Sequence, residues 1–186
     1  MTAVAQALRS AGFDVVRFNF PYREKGLKRP DPMPVLKDSI RSVVAGMRQQ
    51  IGSRRLIIGG RSMGGRAASM LAAEGFDCDG LLLLAYPLHP AGQPEKLRDA
   101  HLSQIRAPVL CFNGTRDKLC RLDLMERALG KLAWQMYWLE GADHSFHVLK
   151  SSGRTDADVL KEVADVSRTW LEALNAQAAR PAARGD

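Results

Sequence analysis

The sequence predicts an α/β fold in three layers, a mostly parallel sheet of about five strands with helices on both faces. Three observations carry this. Short apolar or β-branched runs alternate along the chain with stretches whose apolar residues recur at helical spacing. Two runs, GLLLLAY from Gly80 and APVLCFN from Ala107, are apolar without alternation, as strands buried on both faces are. A third, Leu56-Ile57-Ile58, passes through a glycine-rich turn straight into an alanine-rich helical stretch.

The elements follow in order. Val4, Ala5, Leu8 and Ala11 share a helical face that Gly12 closes. Phe13 to Phe20, FDVVRFNF, is rich in β-branched and aromatic residues and reads as a strand ended by Pro21. A proline-rich basic loop carries Tyr22, Arg23, Lys25, Lys28 and Arg29. Leu36, Ile40, Val43, Val44, Met47 and Ile51 mark an amphipathic helix. After the glycine-rich turn and its helix, GLLLLAY is stopped by Pro87, and the proline-containing stretch to Asp99 is expected to be irregular. The APVLCFN strand ends in Gly114-Thr115-Arg116-Asp117. Leu122, Met125, Leu129 and Leu132 stripe a helix, and Trp134 to Leu139 is a further strand, followed by Gly141-Ala142-Asp143-His144. Val159, Val163, Val166, Trp170 and Leu174 stripe the last helix. Residues 1–174 thus form one domain, and 175–186, lacking an apolar face, are expected to be a disordered tail.

Composition narrows the function. The chain has 186 residues, 46% apolar and 25% charged, enough for one core. Cys78, Cys111 and Cys120 are scattered without CxxC spacing and read as buried reduced thiols; no metal or cofactor is implied. The N-terminal stretch is too interrupted by polar residues for a signal peptide, and no apolar run approaches a membrane span, so a cytoplasmic protein is expected. The net charge of +7 is spread along the chain without a nucleic-acid-binding motif, so nucleic acid is not the expected partner.

The chemistry sits at the turn Gly60-Arg61-Ser62-Met63-Gly64. Strand, GxSxG, helix is the context of a nucleophile elbow, where a strained turn pushes the serine hydroxyl outward. The helix behind it presents free N–H groups and a positive dipole end, and the Met63 N–H is the evident oxyanion donor. A glycine-rich turn with an incidental serine is the bland alternative. A serine needs a base, and the base needs a carboxylate to hold its tautomer. Ser62, Asp117 and His144 each fall just past a predicted strand, at the edge where a parallel sheet binds ligands. Singly, Asp117 could be a helix cap and His144 an ordinary loop histidine. Together they stand in the order nucleophile, acid, base of a Ser-His-Asp hydrolase. His101 and His147 compete poorly as the base, and Asp77, Asp79 and Asp143 as the acid. His89, after GLLLLAY, is a candidate substrate contact, as are Tyr22 and Arg61.

The stretches FNFPYREKG, GGRSMGGRAAS, AYPLHPAGQPEKLR, HLSQIRAPVLCFNGTRD and GADHSF resemble the α/β-hydrolase superfamily. More narrowly they resemble its KANL3/Tex30-type, dienelactone-hydrolase-like branch, over most of Phe18 to Phe146. The resemblance implies a lid-poor small hydrolase with Ser62 as nucleophile, Asp117 as acid and His144 as base. It supplies no substrate, and that branch includes a chromatin-complex subunit without evident catalysis. Such hydrolases carry a further strand and an HG-rich loop, supplying a second oxyanion donor, before the first helix. This sequence begins in that helix and reads as N-terminally shortened. The absent strand would lie between FDVVRFNF and the elbow strand, which either keep open ladders or close up and pair.

The expected activity is hydrolysis of a small carboxylic ester, thioester or lactone. The alternative is a non-catalytic hydrolase-like module that binds a protein partner. Basic residues at the active edge (Arg23, Lys25, Lys28, Arg29, Arg61, Arg116, Lys118 and Arg121) read as ordinary solvated loops, with a pocket that attracts anionic substrates as the sharper alternative.

Overall fold

Four of the five expected runs become strands in the computed structural model, which describes residues 2–130 and 132–179. They are β1 (Ile57–Arg61), β2 (Gly80–Leu84), β3 (Val109–Gly114) and β4 (Trp134–Leu139). Each pairs in parallel with the next, in the spatial order β1-β2-β3-β4. The helices are α1 (Thr2–Ser10), α2 (Pro21–Glu24), α3 (Met33–Ile51), α4 (Met63–Ala73), α5 (Leu122–Leu129) and α6 (Asp156–Ala179). Sequential parallel strands joined by right-handed crossovers put their connecting helices on one face. α4 and α5 accordingly share a core with α3, while α1 and α6 cover the opposite face.

The alternation of side chains across the sheet divides the two cores. Leu81, Leu83, Val109 and Cys111 pack with α3, α4 and α5; Leu82, Leu84, Leu110 and Phe112 pack with α1 and α6. Every residue of β2 and β3 is buried, which is why these runs are continuously apolar. Each fully buried leucine of β2 contributes about 1.5–3 kcal/mol.

Phe13–Phe20 is the exception. It forms neither strand nor helix, so the sheet has four strands where about five are expected. Its ends lie beside the residues flanking β1: Asp14 pairs with Arg54, ahead of the strand, at 3.2 Å, and the Phe20 ring comes up against Gly64 in the first turn of α4. No ladder joins it to β1 among the described residues, so the two segments do not close up and pair. Val16 and Phe18 are 54% and 41% exposed. Strand propensity records a fit to a pleated, packed surface, and without a bonded neighbour it forms no strand.

Two boundaries also move. Prolines at the start of α3 open it at Met33, where their preset φ and missing N–H are tolerated. α6 continues to Ala179, so the helix takes in residues 175–179, which were expected to belong to the tail; residues 180–186 lie outside the described residues. Among the described residues no helix is long and apolar enough to cross a membrane. Cys111 and Cys120 are buried free thiols, and burial pushes the half-buried Cys78 thiol up to about 11.

Candidate active site

Ser62 is where β1 becomes α4. Its backbone sits at φ 52°, ψ −116°, outside the regions open to ordinary L-residues. The strain is held from both sides: the Ser62 N–H donates to Leu84 O at 2.8 Å, and the Ser62 carbonyl accepts from Arg66 N–H at 3.0 Å. The turn is so tight that a Cβ on Gly65 would lie 2.7 Å from Gly60 O. Met63 opens α4, and its N–H has no acceptor within the helix.

Asp117 closes a turn after β3, its N–H donating to Gly114 O at 3.1 Å. Its side chain is fully buried and accepts three hydrogen bonds. Leu119 N–H donates to Oδ1 at 2.8 Å; Asn113 Nδ2 and His144 Nδ1 donate to Oδ2 at 3.2 and 2.8 Å.

His144 lies in the loop after β4. Gly114 lets that loop approach, because a Cβ there would stand 2.1 Å from Ala142 O. The Arg116 N–H donates to Ala142 O at 2.9 Å, and the Arg116 guanidinium to Gly141 O at 2.9 Å. With Nδ1 donating to Asp117, Nε2 is the acceptor nitrogen, and it lies 2.9 Å from Ser62 Oγ. The three residues picked from the sequence are therefore joined in one chain of hydrogen bonds. The carboxylate end is buried, and the imidazole, 28% exposed, is open to solvent. Such an arrangement can draw the serine proton onto Nε2 while the carboxylate stabilises the imidazolium.

The other expected residues take different places. Arg61 donates to His144 O at 2.6 Å and lies over the Phe146 ring at 5.6 Å, bracing the His144 loop. Burial pushes its guanidinium down, partly offset by Asp143 and Asp117. His89 is corrected: at 2% exposure, its Nε2 accepts from Arg121 N–H at 3.2 Å and its Nδ1 lies 2.9 Å from Pro90 O. Nε2 ties the loop to Arg121 and Nδ1 is spent within the loop itself, so no ring nitrogen is left for a substrate. Tyr22 is half-buried, stacked on Phe20, its backbone N–H held by Asp31 at 2.9 Å. Asp143 accepts from Ser145 and His147 N–H groups, shaping the loop without approaching Ser62.

Asn113 was not anticipated. It is fully buried, takes the Tyr86 N–H on Oδ1 at 3.1 Å, and donates through Nδ2 to Tyr86 O at 3.0 Å and to Asp117. It locks the loop after β2 to the candidate acid. The signal was present in the sequence: a single amide at the end of an otherwise apolar buried strand must find partners. Among the described residues no group of three or more His, Cys, Asp or Glu side chains is placed to hold a metal ion.

The model of the family described as "Alpha/beta hydrolase domain" matches residues 1–172. Among solved structures, the chain is similar to a lidless α/β serine hydrolase from Xanthomonas campestris, with 25% identity and a TM-score of 0.69 over 91% of this chain and 72% of that one. It is also similar to an α/β serine hydrolase homologue from Coxiella burnetii, with 18% identity and a TM-score of 0.67 over 89% and 72% of the two chains. A monoacylglycerol lipase from Paleococcus ferrophilus shares 15% identity and a TM-score of 0.64 over 92% and 88%. The last two likenesses are likenesses of fold. Family match, sheet and elbow agree, and the chain belongs to the alpha/beta hydrolase domain family.

Proposed function

We propose that the chain is a serine hydrolase of a small carboxylic ester, thioester or lactone. Ser62 is the nucleophile, His144 the general base and Asp117 the acid that orients it. His144 Nε2 takes the Ser62 proton as Oγ attacks the carbonyl, and the Met63 N–H donates to the developing oxyanion. The protonated imidazole then passes that proton to the leaving group, leaving an acyl-serine. Water attacks the acyl-serine with the same histidine as base, and the acid is released.

The observation that carries this is the chain Ser62 Oγ–His144 Nε2 at 2.9 Å and His144 Nδ1–Asp117 Oδ2 at 2.8 Å, anchored on a serine in strained backbone. These steps use side chains and backbone alone, and a small-molecule ester is the proposed partner. Tyr22 stays a proposed substrate contact, beside the elbow through its stacking on Phe20. The motif strings GGRSMGGR, GTRD and GADHSF support placing the chain in the KANL3/Tex30-type branch. The cytoplasm is its proposed setting.

Fluorophosphonate labelling tests the proposal. The wild type is expected to be labelled and Ser62→Ala to be unlabelled while keeping the wild-type circular dichroism. A folded wild type that takes no label would reject the hydrolase and favour a module that binds a protein partner.

A further inference from the structure

Several of the active-edge cations are already engaged by the protein. Arg61 and Arg116 donate to backbone carbonyls, and Arg121 pairs with Asp123. Two other arginines keep more of their donors free. Arg66 lies one turn beyond Ser62 on α4, and helical side chains lean toward the N-terminal end, here the elbow. Its Nε is buried without any hydrogen-bond partner. Arg98 is in the loop after β2, pinned by its backbone: its N–H donates to Leu88 O at 2.8 Å, and its carbonyl accepts the Tyr86 hydroxyl at 2.7 Å. Its side chain spends one bond on Pro87 O at 3.3 Å. A guanidinium has five N–H donors, so most of this capacity is free. Among the described residues neither arginine has a carboxylate within ion-pair distance.

His101 completes the cluster. Its Nε2 lies 2.9 Å from Ser69 Oγ, and that hydroxyl donates to Arg66 O at 2.9 Å. The Ser69 proton being committed, His101 Nε2 is the donor nitrogen, and Nδ1 becomes a further donor on protonation. Burial and then the Arg66 charge push both Arg98 and His101 down, so the three groups share one electrostatic neighbourhood. Partly buried cations without a counter-charge are costly, and a bound anion is the partner that removes the cost. Loop pinning accounts for one Arg98 donor and for none of the Arg66 side chain.

We propose that Arg66 and Arg98, joined by His101 when it is protonated, form a binding site for a carboxylate or phosphate group, on the same sheet edge as Ser62. Its use is to select esters that also carry a negatively charged group, a role that rests on the hydrolase reading above. Arginine forks match both oxyanions.

The binding arm uses Ser62→Ala protein and calorimetric titration with glutarate and with inorganic phosphate. Saturable binding of at least one is expected, weakened roughly 10- to 100-fold by Arg66→Gln or Arg98→Gln. Arg98→Lys, which keeps the charge, should lose less. The stronger of the two anions identifies the group. No saturable binding of either, or equal binding by wild-type and Gln clusters, overturns the site. The catalytic arm compares kcat/KM for a 4-nitrophenyl hemiglutarate with that for 4-nitrophenyl valerate. The hemiester should be preferred, and the ratio should fall roughly 10- to 100-fold in the Gln variants, mainly through KM. A ratio insensitive to both substitutions overturns the selection role. Anion binding by a protein that hydrolyses neither ester supports the site and sinks the hydrolase reading.

Discussion

Replacing Asp117 by Asn removes a charge at nearly constant shape, and the local geometry dictates the consequence. The carboxylate accepts Leu119 N–H on one oxygen, and Asn113 and His144 donors on the other. An amide has one acceptor and one donor end, so either orientation sets N–H against N–H. With its oxygen toward Leu119, its NH2 faces Asn113 Nδ2 and His144 Nδ1. Asn113 cannot flip to relieve this without losing both bonds to the Tyr86 backbone. His144 can relieve its share only by taking the other tautomer, with the proton on Nε2, where it can no longer accept the Ser62 proton. The same substitution in a trypsin-type triad costs about 10⁴ in kcat, and about 10⁴ is expected here. That corresponds to roughly 5.5 kcal/mol of transition-state stabilisation. The assay is kcat for 4-nitrophenyl acetate beside Ser62→Ala, with the melting temperature followed in parallel. Asp117→Asn protein that keeps more than about a tenth of wild-type kcat, while Ser62→Ala is inactive, would refute the reasoning.

Asn113→Leu leaves the buried Tyr86 N–H unpaired, leaves the Tyr86 carbonyl with the Leu88 N–H alone and removes one of three donors from Asp117, at a cost of about 2–3 kcal/mol. For a domain of this size the melting temperature should fall roughly 4–12 °C, and calorimetry showing no fall would remove Asn113 from its clamping role. Gly65→Ala forces a methyl against Gly60 O in rigid backbone, so a destabilisation of about 1–3 kcal/mol and loss of fluorophosphonate labelling are expected; denaturant melts and the probe check both. His101, pushed down by burial, binds fewer protons folded than unfolded in the window just below its ordinary value of 6.5. Its neutral form therefore supports the fold above pH 6.5, and that support is lost as pH falls below it. Wild type should lose melting temperature more steeply than His101→Gln between neutral and mildly acidic pH, and parallel curves would contradict this.

Much of this was legible along the chain because the physics is local. GLLLLAY and APVLCFN declare two-faced burial, since a strand covered on both sides tolerates no polar position. The GxSxG turn is legible because close approach excludes Cβ atoms: a Cβ on Gly60 would lie 3.0 Å from Gly64 C. Residues 13–20 were misread because their composition speaks for an extended backbone and is silent on a hydrogen-bonded neighbour. His89 was misread for a related reason: position after a strand says which edge a residue joins, but its ring faces Arg121 N–H, contributed by a distant turn.

The sequence by itself thus determined the layer architecture, the elbow and the edge at which the functional loops gather, because periodicity and chain order encode them directly. Only the tertiary structure decided which side chains at that edge meet. It brought Ser62, His144 and Asp117 within hydrogen-bond distance, clamped the acid through Asn113, and spent His89 and Arg61 on holding loops. Among the described residues it also left Arg66 and Arg98 without a carboxylate at ion-pair distance. Pairing between residues far apart in the chain depends on register and crossover, and neither leaves a mark on the local pattern of residues.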